Sequence, residues 1–173
     1  MGLRVVIGVS DFMVKKFISP DFKIPEILET KWFRLRMLSE DDVVKDYDAV
    51  KTSIQYLQTT KPFGPHSKWP AIDLTFEQDL ADLREHQQEF QKRISFAYTV
   101  MNLDERECLG CVYIYPSKYP NYDASVILWV RESEVANGLD SILFSSVKKW
   151  IEEAWPFKKV AYPGRDVRWD EWE

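Results

Sequence analysis

The chain has 173 residues, 45% of them apolar, with 29% charged residues and a formal net charge of −5. That is enough apolar material for one globular core, and the charge balance argues against disorder and against sequence-independent binding to nucleic acid. No apolar run reaches the roughly 18 to 20 residues of a membrane span, and two cysteines, Cys108 and Cys111, cannot staple a secreted domain, so a cytoplasmic protein with no membrane or nucleic-acid partner is expected.

Residues 1–30 show no clean period and read as an N-terminal extension, an irregular arm carrying Phe12, Phe17, Phe22 and Ile27 and punctuated by Pro20 and Pro25. From residue 32 to 38 the apolar Phe33, Leu35 and Met37 alternate with Arg34 and Arg36, the period of a half-buried strand. Ser39-Glu40-Asp41-Asp42 then reads as a capping box, opening a helix from about residue 40 to 53. Residues 59–70, with three prolines and a glycine around Phe63, His66 and Trp69, read as an irregular loop. Thr75 to Gln78 is a second capping box, ahead of an amphipathic helix ending near Arg93. His86 falls on its polar side.

Three short apolar strands are expected at residues 95–101, 108–115 and 124–130, joined by connections of hairpin length. A third helix follows Asn137-Gly138, with Leu139, Leu143, Val147, Trp150 and Ile151 on its apolar face, and residues 158–162 form a last strand. Residues 164–173 form a polar tail. Aromatic residues make up 14% of the chain, and Trp69, Trp155, Trp169 and Trp172 fall outside the obvious apolar stripes. They serve either to plug the edges of the domain or to line a ligand cleft or self-association surface.

The order β, α, α, β, β, β, α, β predicts an α/β (α+β) fold: a mixed, mostly antiparallel sheet with helices on both faces, spanning residues 31–163. The last strand runs parallel to its predecessor through a helical crossover, and such a pair diverges near the helix N-terminus. A crevice is therefore expected between Leu128, Trp129 and Val130 on one side and Val160, Ala161 and Tyr162 on the other.

Residues 33–42, Leu109-Gly110-Cys111-Val112 and Leu128-Trp129-Val130 resemble strand phrases of the GNAT acyl-CoA-dependent N-acetyltransferases, and the likeness runs from about Phe33 to Tyr162. The resemblance implies acetyl transfer from acetyl-CoA to an amine, with no metal. It implies that Leu128, Trp129 and Val130 hold the pantetheine arm and that Ala136, Asn137, Gly138 and Leu139 meet the pyrophosphate through backbone N–H groups at a helix N-terminus. Only Gly138 matches that family's phosphate loop here, and Glu132, Glu134 and Asp140 surround the site with negative charge.

The family continues past its fifth strand with a helix that often carries a tyrosine acid, so Tyr162 is the candidate here, or a second copy of the chain completes the sheet as a homodimer. Glu132 is the candidate base, against a plain loop carboxylate. Phe63, His66 and Trp69 are candidates for the acceptor pocket and favour a small-molecule amine, although His66 also reads as solvent-facing and His86 as a surface residue. Cys108 and Cys111 form a lone Cys-x-x-Cys whose sulfurs, on a regular strand, point to opposite faces, so both read as core thiols. The competing reading is a non-catalytic CoA- or ligand-binding module of the same fold.

Overall fold

In the computed structural model, which describes residues 16–173, the chain forms one six-stranded sheet in the order β1-β2-β3-β4-β5-β6. The strands are β1 (Ile27–Glu29), β2 (Arg34–Met37), β3 (Phe96–Met101), β4 (Cys108–Pro116), β5 (Ala124–Val130) and β6 (Val160–Ala161). Every neighbouring pair is antiparallel except β5 and β6. The helices are α1 (Val43–Thr52), α2 (Ile54–Thr60), α3 (Phe76–Gln91), α4 (Leu139–Ala154) and the short α5 (Trp169–Trp172). No described helix is long and apolar enough to cross a membrane.

The alternation of the strands divides the core in two. On one face Leu35, Phe96, Tyr98, Val112, Ile114, Val126 and Leu128 pack against Leu143, Val147, Trp150 and Ile151 of α4. On the other, Ala97, Met101, Cys111, Tyr113 and Trp129 pack against α1, α2 and α3 through Ala49, Val50, Leu57 and Leu83. Trp155, beyond the end of α4, is only 5% exposed and joins Phe96, Trp150 and Phe157 in an aromatic cluster.

Part of the expected N-terminal extension belongs to the sheet, because β1 pairs with β2 in register Leu28 to Leu35. The arm ahead of it is anchored by core contacts: Ile18 is buried, Phe22 packs on Trp155, and the Tyr98 hydroxyl donates to the Pro25 carbonyl at 2.6 Å. Phe12 lies outside the described residues.

Two helix starts behave differently. At Thr75 the capping box forms in full, the Gln78 N–H donating to Thr75 Oγ1 at 3.2 Å and the Thr75 N–H to Gln78 Oε1 at 2.9 Å. At Ser39 it does not, because the Asp42 carboxylate turns to the Arg36 guanidinium at 2.7 and 2.8 Å, and a 3₁₀ turn (Glu40–Asp42) precedes α1. The expected single helix also breaks at Ser53, whose hydroxyl accepts the Glu132 N–H at 2.9 Å. The chain then winds α2, over residues left unassigned between the expected helix and the expected loop and into the first two of that loop, ending at Lys61 in the left-handed region.

A bulge changes the reading of the cysteines. Opposite β4, Val100 pairs with Gly110 but Met101 pairs with Cys108, so Leu109 is the extra residue. The alternation skips a beat there, and Cys108 and Cys111 come to lie on the same face rather than on opposite ones. Gly110 is required at this point, because a Cβ there would sit 2.0 Å from the Trp129 carbonyl oxygen.

Candidate active site

β5 and β6 pair only at Ala124 with Val160 and Ser125 with Ala161, after which the two strands part. The Arg131 N–H donates to Leu109 on the β4 side at 2.8 Å. Strand alternation therefore turns the Leu128 and Val130 N–H groups toward the open side. The result is a cleft of about 250 Å³ whose floor is Leu128, Trp129 and Val130. One wall is Tyr56 and Thr60 of α2 with Lys61 and Pro62; the other is Asp140 of α4 with Pro163, Gly164, Arg165 and Trp169.

α4 opens at the cleft's edge with Gly138 as its N-cap at φ 72°, and no side chain caps it. Its first N–H groups are thus free of side-chain partners and carry the positive end of the helix dipole. Asn137 does not cap the helix; its amide donates to Glu134 at 3.2 Å. Ala136, Asn137 and Gly138 are exposed and Leu139 is buried, so of this stretch only Asp140 lines the cleft itself.

The tail lies against the segment after α2 and against the connection between β4 and β5. Trp169 packs on Gly64 and Gly164, Trp172 meets the rings of Tyr119 and Tyr122, and Glu173 Oε2 lies 3.2 Å from His66 Nε2.

The two expected catalytic groups lie elsewhere. Tyr162 is buried toward α4, against Phe144 and beneath Lys148, and does not line the cleft. Burial pushes its hydroxyl well above the usual phenol range. The reason is parity: one residue beyond β6, its side chain faces α4, while the cleft is walled by Pro163, Gly164 and Arg165. Glu132 sits exposed on the 3₁₀ turn Glu132–Glu134 and is not part of the lining. The tyrosine that does face the cleft is Tyr56, held protonated above its ordinary range by burial and then by Asp140. It escaped notice in the sequence because α2 itself did.

A second cavity, about 330 Å³, opens between α1, α3 and β4 on the face of the sheet that these helices cover. Phe63 and Trp69 line it with Tyr113, Asp46, Asp79 and His86. Trp69 packs on Trp129 at 5.5 Å, so a single pair of indoles connects this cavity with the cleft. His66 stays outside, its side chain 87% exposed. His86, expected on the surface, instead lies against the Tyr113 ring at 5.1 Å with its side chain 24% exposed, because β4 supplies an aromatic face to that side of α3. Burial lowers its pKa despite Glu89, Asp82 and Glu85 nearby. Burial likewise pushes Asp46 well up, and burial together with the Asp46 charge raises Asp79 to about 8.

No protein-family model and no curated protein matches the sequence. Solved structures do. An acetyl transferase from Salmonella typhimurium that modifies the N-terminal serine of the 50S ribosomal subunit protein L7/L12 superposes at TM-score 0.61 with 15% identity, over 79% of this chain and 74% of that one. The fold is that of the GNAT acetyltransferases. RimL, a ribosomal L7/L12 alpha-N-protein acetyltransferase solved in complex with coenzyme A, gives TM-score 0.58 at 18% identity over 73% of this chain and 67% of its own. The microcin C7 self-immunity acetyltransferase MccE, solved with acetyl-CoA and AMP, gives 0.57 at 10% identity over 77% and 69%. This chain spans about two thirds of the length of the RimL structures it matches. Within the GNAT fold, the parted β5 and β6 and the uncapped start of α4 form one continuous rim.

Proposed function

We propose that this chain is an acetyl-CoA-dependent N-acetyltransferase acting on the amine of a small molecule. The observation that carries the reading is the parting of β5 from β6 after Ser125, which leaves the Leu128 and Val130 N–H groups facing an open cleft beside an uncapped helix start. A pantetheine arm is an amide chain and pairs with such an edge as an added strand does. The first turn of α4 suits the pyrophosphate.

The co-substrate supplies an activated acetyl group as a thioester. The Val130 N–H is placed to stabilise the oxyanion as the amine attacks; the new C–N bond forms, the C–S bond breaks, and Tyr56 donates a proton to the leaving thiolate. His86, kept neutral by burial and lining the cavity assigned to the acceptor, takes the ammonium proton before the amine attacks. Phe63 and Trp69 border the acceptor, and a cavity of this size suits a compact amine.

A protein N-terminus is the second reading, favoured by the neighbours that acetylate ribosomal L7/L12. Free-thiol release from acetyl-CoA tests both, using diamines, aromatic monoamines and short peptides with free N-termini. Turnover with a small amine supports the first reading and turnover with peptides alone the second. CoA binding with no turnover on any acceptor leaves the non-catalytic module.

A further inference from the structure

The bulge in β4 produces a cluster beside the second cavity to which the transferase reading gives no role. Asp46 Oδ1, from α1, lies 3.3 Å from Cys111 Sγ and 3.8 Å from Cys108 Sγ. All three residues are buried, and their ligand atoms lie within 4.8 Å of one another. A tetrahedral divalent ion with bonds of about 2.3 Å to sulfur and about 2.0 Å to oxygen sets its sulfur–oxygen edges near 3.5 Å. The two sulfur–oxygen distances lie on either side of that spacing.

An independent observation comes from α3. Asp79 is 4% exposed, and its Oδ2 is buried with no hydrogen-bond partner among the described residues. It lines the same cavity as Asp46, which gives an ion a route in from solvent. Two buried carboxyl groups beside two thiols call for either protons or a cation. Two guanidinium groups on the adjoining segments are committed elsewhere: Arg36 to Asp42, and Arg131 to Asp48 and the Cys108 carbonyl. Among the described residues no Lys or Arg forms an ion pair with Asp46 or Asp79.

We infer that Cys108, Cys111 and Asp46 form a site for a borderline-soft divalent cation, zinc above all, with the fourth position taken by the neighbouring Asp79 or by a water. Thiolate sulfur disfavours calcium and magnesium, which take oxygen ligands. On binding, the two thiols and any protonated carboxyl release their protons to solvent, and the ion forms two bonds to sulfur and two to oxygen. The ion ties α1, α3 and β4 together beneath the second cavity, independently of whether the cleft transfers acetyl groups.

The test is titration of metal-free protein with Co²⁺, read by the thiolate-to-cobalt charge-transfer band and the d–d bands of tetrahedral geometry. The site predicts saturation at one equivalent, displacement by Zn²⁺, and affinity losses of at least tenfold in Cys111→Ser and Asp46→Asn. X-ray absorption at the zinc edge of the loaded wild-type protein covers variants that fail to fold. A shell of two sulfur and two oxygen atoms supports the site; a shell without sulfur, the absence of stoichiometric binding, or unchanged affinity in Cys111→Ser overturns it.

Discussion

Arg165 grips Asp140 with both guanidinium nitrogens, Nη2 to Oδ1 at 2.7 Å and Nη1 to Oδ2 at 2.9 Å, at the rim of the cleft between β5 and β6. Asp140 therefore does not present a bare charge to an incoming phosphate, and Arg165 is not free to meet one. Replacing Asp140 with Asn releases the guanidinium, so coenzyme A should bind about three- to tenfold more tightly, near 0.7 to 1.4 kcal/mol, with the gain shrinking as salt rises. Arg165→Ala leaves the carboxylate unpaired and should weaken binding. Calorimetric titration of both variants checks this; equal affinities across wild type and variants place the pair away from the anionic end of the ligand.

Gly110 is the residue on which the β4 bulge depends. A Cβ there meets the Trp129 carbonyl oxygen at 2.0 Å and Val130 Cα at 2.9 Å, both backbone atoms that cannot swing aside. Gly110→Ala should cost about 3 kcal/mol or more, or yield no soluble protein. Gly138→Ala, in open space but at φ 72°, should cost only about 1 to 2 kcal/mol. Urea unfolding separates them, and a Gly110→Ala midpoint close to that of wild type would contradict the close approach.

How much of this was legible in the sequence follows from how local each signal is. Thr75 with Gln78 forms its capping box from four adjacent residues, and the apolar stripe of α4 repeats within one helix, so both could be read without the fold. The ladder of β3, β4 and β5 was legible because the apolar runs and short connections leave little freedom. The failures are non-local. Asp42 abandons its expected cap for Arg36 on β2, Ser53 breaks a helix to meet Glu132 just beyond the end of β5, and the bulge at Leu109 exists only in register with β3. The same non-locality misplaced Tyr162, whose facing is set by where β6 stops pairing, and His86, whose burial is supplied by Tyr113.

The pKa of His86 lies below its ordinary value of about 6.5 because burial outweighs Glu89, Asp82 and Glu85. A histidine depressed in the fold contributes stability that is complete above its unfolded pKa and is lost as pH falls through the folded one. Because the raised Asp46 and Asp79 titrate with the opposite sign in the same range, the readout is the stability of wild type minus that of His86→Gln, which should fall from about pH 8 to about pH 5 in chemical denaturation. The same group should give acetyl transfer an acid limb that His86→Gln removes. Identical stability profiles would show that His86 keeps its ordinary titration.

Tyr98 holds the N-terminal arm through its 2.6 Å bond to the Pro25 carbonyl, in a residue otherwise buried among Phe90, Trp150 and Trp155. Tyr98→Phe keeps the ring and removes the bond, so it should cost about 1 to 2 kcal/mol. Hydrogen exchange should quicken in residues 22–29 while β4 and β5 keep their protection. Uniform acceleration would show a global rather than local loss.

The central claim is that acetyl-CoA lies along β5 where β6 has parted from it. Hydrogen–deuterium exchange with and without saturating acetyl-CoA tests this most directly, because it reads the N–H groups that the claim names. Slowed exchange at residues 128–130 and in the first turn of α4, residues 139–141, is the predicted result. No protection in either segment, or protection confined to the arm and the loop at residues 117–123, would contradict it.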